Sequence, residues 1–313
     1  MPEVSVVIPS YNRAQFIERS VRSALQQTYK DIEVIVVDDG SNDGTDIRID
    51  NLKKIDSRLR YLKHDINQGA QAARNTGINA ARGKYVAFLD SDNEWLPNKL
   101  ERQMLLFENN DRKIGVVYSG FTWQYADGRP SREQVPCYRG NIYKIALRQW
   151  IADTSTLLVC KDVFRMCGLF DELIRSYQEW DFCIRLAKHT EFDFVNEPLV
   201  VYHVHEQPTI SKNLRLDACG YLDVITSHRE EILKELGKHV FSKHLAAAAH
   251  RFARVSDFVT ARELASQAVK LSPFYGRGSG IIFWILYSLG PLPNKIVTSF
   301  LKKARSLFST LKR

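Results

Sequence analysis

Apolar residues follow two rhythms along this chain. Residues 4–8 form a short β-branched run that ends at Pro9-Ser10-Tyr11-Asn12, the pattern of a buried strand meeting a loop. Phe16, Ile17, Val21, Ala24, Leu25 and Thr28 then recur at helical spacing through Tyr29. A second continuous run, 32–37, is halted by Asp38-Asp39-Gly40-Ser41. A third strand is predicted at 59–63 and a helix around 68–81. The run 85–89 follows, stopped by Asp90-Ser91-Asp92. Strands apolar on both faces, alternating with helices, predict an α/β fold with a doubly wound, mostly parallel sheet covered on both sides.

Beyond this the pattern is less regular. Pro97 suits the first turn of a helix running to about Asn109. Residues 115–119, 156–160 and 199–203 are further strand candidates, 128–141 reads as a surface loop, and 180–188 as a helix with Phe182 and Leu186 inward. From about 214 the pattern is helical only. Residues 246–273 read as a helical hairpin turned near Ser256-Asp257, similar to one tetratricopeptide unit but without a second copy. The expected organisation is a catalytic domain over 1–213, a helical extension over 214–273 and an apolar, basic tail over 274–313.

Charge sharpens that division. The chain of 313 residues carries 44 Lys+Arg against 36 Asp+Glu, a net charge of +8. No acidic residue follows Glu263, whereas Lys270, Arg277, Lys295, Lys302, Lys303, Arg305, Lys312 and Arg313 do. The body is therefore neutral and the excess belongs to the tail, which argues against nucleic acid as a partner, since such domains carry a basic face of their own. A nine-residue apolar run at 281–289 spans about 14 Å as helix, too short for a hydrocarbon core of about 30 Å. Ile296, Val297, Phe300, Leu301, Ala304, Leu307, Phe308 and Leu311 fall on one helical face with bases flanking it. That suits an anionic membrane surface, with the protein body or a second subunit of a homo-oligomer as the alternative cover. The cysteines (Cys137, Cys160, Cys167, Cys183, Cys219) show no C-x-x-C spacing and the first residues show no basic-then-apolar leader. The expected location is cytoplasmic, peripheral on the inner face of the cell membrane.

Ligands of open parallel sheets sit beyond the carboxyl ends of the strands. There this sequence places Pro9-Ser10-Tyr11, Asp38-Asp39 and Asp90-Ser91-Asp92. Carboxylates gathered on one edge repel unless a cation joins them, and a divalent metal with bound phosphates resolves that. No G-x-G-x-x-G follows the first strand and no G-x-x-x-x-G-K-[ST] occurs, so dinucleotide and P-loop chemistry lack their fingerprints.

The ordered motifs Val4-Ser5-Val6-Val7-Ile8-Pro9-Ser10-Tyr11-Asn12, Val36-Val37-Asp38-Asp39-Gly40-Ser41, Asn67-Gln68-Gly69 through Ala73-Arg74-Asn75, and Asp90-Ser91-Asp92 resemble family 2 glycosyltransferases of the GT-A fold over roughly residues 3–211. The resemblance implies inverting transfer of a sugar from a nucleotide-sugar donor, expected to be a UDP-sugar, to a hydroxyl of a glycan or lipid-linked acceptor in polysaccharide or cell-envelope synthesis. It also implies a divalent metal, manganese or magnesium. By position, Pro9 and Tyr11 would line the base and Asp39 accept a hydrogen bond from it. Arg74 would lie near the phosphates, Asp90 would contact the ribose or a metal-bound water, and Asp92 would bind the metal. Asp38 reads as a turn carboxylate. Gln178-Glu179-Trp180-Asp181 stands where the family shows Glu-Asp-x-Asp, which makes Glu179 the candidate general base and Asp181 its rival. His205, with Ser211 downstream, is the candidate metal or diphosphate contact, ahead of His203. Because Glu179 and Gln178 depart from the family pattern, a non-catalytic nucleotide-sugar-binding or scaffold protein at the membrane surface is the alternative.

Overall fold

The computed structural model describes residues 1–108, 113–127, 129–205 and 212–272. Ser211 and the expected tail at 274–313 lie outside the described residues. The chain divides into two units. One comprises Met1–Leu173 with Gln178–Glu206, and the other Ile174–Tyr177 with Gln207–Arg313.

The first unit begins as the apolar rhythm predicts. Strands β1 (Val4–Ser10), β2 (Ile32–Asp38), β3 (Leu59–Lys63) and β4 (Tyr85–Phe88) alternate with helices α1 (Ile17–Leu25), α2 (Thr45–Lys53) and α3 (Ala70–Ala80). The pairs β1–β2, β2–β3 and β1–β4 are all parallel. Every residue of β1 and β2 is buried, which is why neither strand alternates apolar with polar. The sheet grows outward from β1 through β2 to β3 and then returns to add β4 on the other side of β1. Right-handed crossovers put α1 and α2 on one face and, once the direction reverses, α3 on the other. Alternate side chains of β1 follow suit. Val4, Val6 and Ile8 pack with Ile17, Val21 and Ile49, whereas Val7 faces α3, where a Cβ on Gly77 would lie 2.3 Å from its Cγ1. The reversal also opens a cleft at the carboxyl ends of β1 and β4, the position where such sheets bind ligands.

The remainder of the unit is mixed rather than mostly parallel. It contains β5 (Asn93–Trp95), α4 (Lys99–Glu108), β6 (Ile114–Tyr125), β7 (Arg132–Gln134), α5 (Tyr143–Ala146), β8 (Leu158–Cys160), α6 (Phe164–Cys167), α7 (Gln178–Ala187) and β9 (Glu191–Val204). The pairs β4–β8, β6–β8, β6–β7 and β5–β9 run antiparallel, and β6–β9 runs parallel. Of these only β6 and β7 are joined by a short connection without a crossover helix, which permits only antiparallel pairing. The described residues form one sheet in the order β3-β2-β1-β4-β8-β6-β9-β5, with β7 hydrogen-bonded to β6.

Three local expectations are corrected. Part of the stretch read as loop is β7, whose backbone pairs with Phe121, Thr122 and Trp123 although its side chains give no apolar alternation. The strand expected over 156–160 starts late. The Asp153 carboxylate accepts the Ser155 N–H at 2.9 Å and turns Thr154–Thr156 into a 3-10 helix. The strands expected at 115–119 and 199–203 are the beginning and the end of longer ones, β6 and β9. Their register shifts around Gly120, which pairs with Pro198, because proline supplies no ladder donor and its strand must bulge there.

The second unit is helical, with α8 (Leu214–Ser227), α9 (Arg229–Leu236), α10 (Lys238–Arg254) and α11 (Phe258–Leu271). Ala248 and Ala249 of α10 and Ala261, Ala265 and Ala268 of α11 are buried, and the Ser242 hydroxyl donates to the Ala268 carbonyl at 2.7 Å. Ser256 turns the hairpin at φ 62°, at the predicted place.

The fit of α3 on β1 makes a prediction. Gly77→Ala gains roughly 1 kcal/mol of helix propensity but forces the new methyl onto Val7. A net loss of stability of about 1–3 kcal/mol is expected. Combining it with Val7→Ala should cost less than the two single changes summed, as a double-mutant cycle in chemical denaturation would show.

Candidate active site

The loops at the carboxyl ends of β1 and β2 are tied to each other by hydrogen bonds. Asn12, in the left-handed region at φ 52°, donates its backbone N–H to Ser41 Oγ at 2.8 Å. Its side-chain oxygen accepts the Asn42 N–H at 3.1 Å. Asp38 is fully buried and holds the turn, accepting the Ser41 N–H at 2.8 Å and the Tyr61 hydroxyl at 2.5 Å. Asp39 is turned toward the start of α3. It accepts the backbone N–H groups of Gln68 at 2.9 Å and Gly69 at 2.7 Å and pairs with His64 Nδ1 at 2.7 Å. Gly69 sits at φ 103°, a backbone geometry that favours glycine, so this approach of the α3 loop depends on residue type. Pro9 is buried in β1, while Tyr11, just past the strand, leaves 46% of its surface open.

The loop after β4 carries the central carboxylates. Arg74, buried in α3, donates from Nη2 to Asp90 Oδ1 at 2.7 Å, and its guanidinium lies 5.5 Å from the centre of the Phe170 ring. Its Nε and Nη1 make no hydrogen bond among the described residues. Asp92 Oδ2 lies 3.2 Å from His205 Nε2 and 3.8 Å from Arg13 Nε, and its carbonyl accepts from Arg19 Nη2 at 2.7 Å. The Phe16 ring stacks on His205 with centroids 4.6 Å apart. His203 pairs instead with Glu94 at 3.0 Å. Among the described residues no group of three or more His, Cys, Asp or Glu is gathered for a metal ion.

Glu179 stands in the first turn of α7, where the positive end of the helix dipole favours a carboxylate. The Trp150 indole N–H donates to Glu179 Oε1 at 3.1 Å. Burial pushes the Glu179 carboxyl up from the usual range; Arg74 and the Trp150 bond pull it back and Asp90 raises it further. Asp153 is pushed up more strongly, first by burial and then by the charges of Asp90 and Glu179. The turn after Asp153 is docked on the β4 loop. Ser155 Oγ accepts the Asp90 N–H and the Asn93 side-chain amide, both at 3.1 Å, and the Ser155 carbonyl accepts the Trp95 indole N–H at 2.9 Å. Asp181 is otherwise engaged. It is buried and accepts from Arg185 Nε at 3.0 Å and Nη2 at 2.7 Å, while Arg185 Nη1 reaches the Cys167 carbonyl at 2.7 Å.

The structure thus brings together Arg74, Asp90 and Glu179, joins Asp92 to His205, and gives Asp181 an ion pair of its own. Arg13, Arg19, Trp150 and Asp153 belong to the same edge and carry no motif. For Asp153 the available signal, Asp-Thr-Ser-Thr ahead of an apolar run, announces only a helical cap.

Comparison with known proteins identifies the family and the fold. The profile of glycosyl transferase family 2 matches residues 5–174. An uncharacterized glycosyltransferase of Rickettsia prowazekii (strain Madrid E) is 30% identical over 305 residues, 92% of this chain and 91% of that protein. The UDP-Glc:alpha-D-GlcNAc-diphosphoundecaprenol beta-1,3-glucosyltransferase WfgD of Escherichia coli is 44% identical over 118 residues, 38% of this chain and 45% of that protein. In fold, the chain is similar to S. aureus TarS 1–349 in complex with UDP, with a TM-score of 0.60 at 16% identity over 92% of this chain and 90% of that one. The chain belongs to glycosyl transferase family 2 and is a glycosyltransferase.

The raised carboxyls have a consequence for stability. Between the ordinary carboxylate pKa and the raised one, the folded state binds more protons than the unfolded, so stability falls as pH rises through that window. Glu179→Gln removes one of the buried charges. Thermal denaturation is expected to show the variant gaining on the wild type as pH is raised from about 4, with the difference shrinking again on acidification.

Proposed function

We propose that this member of glycosyl transferase family 2 moves a sugar, with inversion, from a UDP-sugar to a hydroxyl of a glycan or lipid-linked acceptor in polysaccharide or cell-envelope synthesis. The observation that carries the reading is the position of Asp90. It is ion-paired to Arg74 on the donor side, and its charge is felt by Glu179 and Asp153 on the other side. The two halves of a transfer site therefore lie within electrostatic reach of each other. The names of the similar proteins support the chemical class: the E. coli relative takes UDP-Glc and a diphosphoundecaprenol-linked sugar, and the structure of similar fold holds UDP.

On the donor side Tyr11, exposed beyond β1, offers a face for the base, and Pro9, near the end of β1, is assigned to the same subsite. Asp39 already accepts three hydrogen bonds, and an ionised carboxylate has about four acceptor sites, which leaves one for a base N–H. The unpartnered N–H groups of Arg74 suit phosphate oxygens. Asp92 and His205 supply one carboxylate oxygen and one imidazole nitrogen. That pair fits manganese or magnesium, ions that take few protein ligands and complete their shell with phosphate and water. When bound, the metal supplies positive charge for the departing diphosphate.

Glu179 acts as general base. It takes the proton of the acceptor hydroxyl as that oxygen attacks the anomeric carbon from the face opposite the diphosphate; the carbon–oxygen bond to the nucleotide breaks and the configuration inverts. A base with a raised pKa is better matched to a hydroxyl near neutral pH. Asp181, held by Arg185, shapes α7 instead. The basic, apolar sequence at 274–313 is assigned to an anionic membrane surface, where a lipid-linked acceptor resides; among the described residues no helix is long and apolar enough to cross a membrane.

Two experiments test this. Full-length protein with manganese and a panel of nucleotide sugars is expected to hydrolyse one of them slowly in the absence of acceptor. Asp92→Ala and Glu179→Gln are expected to cut turnover by about 10²-fold or more, and Asp181→Asn by much less. Donor binding without metal-dependent turnover would favour the scaffold alternative, and absence of donor binding would overturn the reading. For the tail, full-length protein is expected to sediment with anionic vesicles and a chain ending at residue 272 to remain in the supernatant; equal binding would remove the membrane assignment.

A further inference from the structure

Beside Trp150 lies a pocket of about 130 Å³, floored by Tyr118 and Phe121 of β6 and walled by residues 134–138 on one side and 149–153 on the other. We infer that it is the acceptor subsite and that its occupant is a single neutral sugar ring, an inference that rests on the proposed transfer reaction and specifies its second substrate.

The wall is built before any ligand arrives. Its start is fixed by the pairing of Gln134 with Phe121. Its end is fixed by two hydrogen bonds between Gly140 and Phe192, at 2.7 and 3.0 Å. Between these anchors the Tyr118 hydroxyl donates to the Tyr138 carbonyl at 2.7 Å and accepts the Tyr138 N–H at 3.2 Å. The Gln149 side-chain amide then donates to the Tyr138 hydroxyl at 3.1 Å, joining one wall to the other. A pocket held in this way loses little conformational entropy when it binds.

Its chemistry selects a polyol. Phe121 and Trp150 meet edge to face, with centroids 6.3 Å apart, and with Tyr118 they supply the apolar surface on which the C–H face of a pyranose can rest. Asp153, Gln149 and Tyr138 contribute polar groups to the lining, of the kinds that hydrogen-bond ring hydroxyls. The lining contains no lysine, arginine or histidine, and it contains one carboxylate, so a phosphate or nucleotide has no charge partner there and an acyl chain would strand a buried acid. The volume is well below the roughly 300–1,000 Å³ of pockets for drug-sized ligands, which suits one ring. Trp150 links the pocket to the proposed base, since its ring lines the cavity while its N–H is bonded to Glu179.

Cys137 provides the test. It is the exposed one of the five cysteines and lies on the pocket wall. Full-length protein is treated with a bulky methanethiosulfonate reagent and probed by saturation-transfer NMR with methyl glucoside, methyl galactoside, methyl mannoside and methyl N-acetylglucosaminide. At least one glycoside is expected to give a signal that falls at least fivefold on treatment. Cys137→Ser, treated identically, should lose none of its own signal. Gln149→Ala should weaken binding of the same glycoside at least threefold without reagent. UDP binding, followed separately by thermal shift, should survive treatment. If no glycoside gives a signal, or the signal persists after Cys137 is blocked, the pocket assignment is overturned even where UDP binds. If UDP fails to bind, it is the proposed transfer reaction that falls.

Discussion

Two like unit charges 4 Å apart repel by roughly 4 kcal/mol at the effective dielectric of a protein surface. The carboxyl edge of this sheet collects Asp38, Asp39, Asp90 and Asp92, with Asp153 and Glu179 beside them. Much of the first unit can be understood as the answer to that constraint. Asp38 and Asp39 are neutralised by hydrogen bonds, mostly from the backbone of the turns they shape. Asp90 is matched by the buried Arg74, and Asp92 is approached by Arg13 and His205. Among the described residues no cation is ion-paired to Asp153 or Glu179; burial raises both, with Asp90 adding to each and Glu179 to Asp153.

The solution is uneven, and the unevenness supports function. A carboxylate fully satisfied by its surroundings holds structure, as Asp38 and Asp181 do. One held by a partner that keeps spare donors, as Asp90 is by Arg74, can bind an anion beside it. One left with a raised pKa can accept a proton from a hydroxyl. The same edge thus grades from loops tied by hydrogen bonds to the raised carboxyl of the proposed base at the start of α7. Trp150 closes the series by fixing Glu179 on one side and walling an apolar pocket on the other.

Legibility in the sequence followed the range of the interactions. The first four strands and three helices were readable because their signals are local: apolar runs, helical spacing and turn residues. The turn role of Asp38 was readable for the same reason, since its main partner, Ser41, is three residues away. The pairing of Asp181 with Arg185 was also within reach, because residues four apart share a helix face. β7 escaped because its side chains are polar and only its backbone pairs with β6. Asp153 escaped because its local pattern says cap, whereas its environment comes from Asp90 and Glu179.

By itself, then, the sequence determined the doubly wound opening of the fold, the clusters that end its strands, the family, and the division between a charge-balanced body and a basic tail. These follow from periodicity, composition and short motifs, which need no knowledge of distant neighbours. Tertiary structure alone decided that Arg13 and His205 flank Asp92, that the turn at Ser155 docks on the loop of Asp90, and that Trp150 joins Glu179 to a pocket. Those contacts join residues far apart in the chain, brought close by the pairing of β1 with β4, β4 with β8 and β5 with β9 rather than by any one segment. Packing across the sheet turns acids that read alike in sequence into a clamp, a candidate metal ligand and a candidate base.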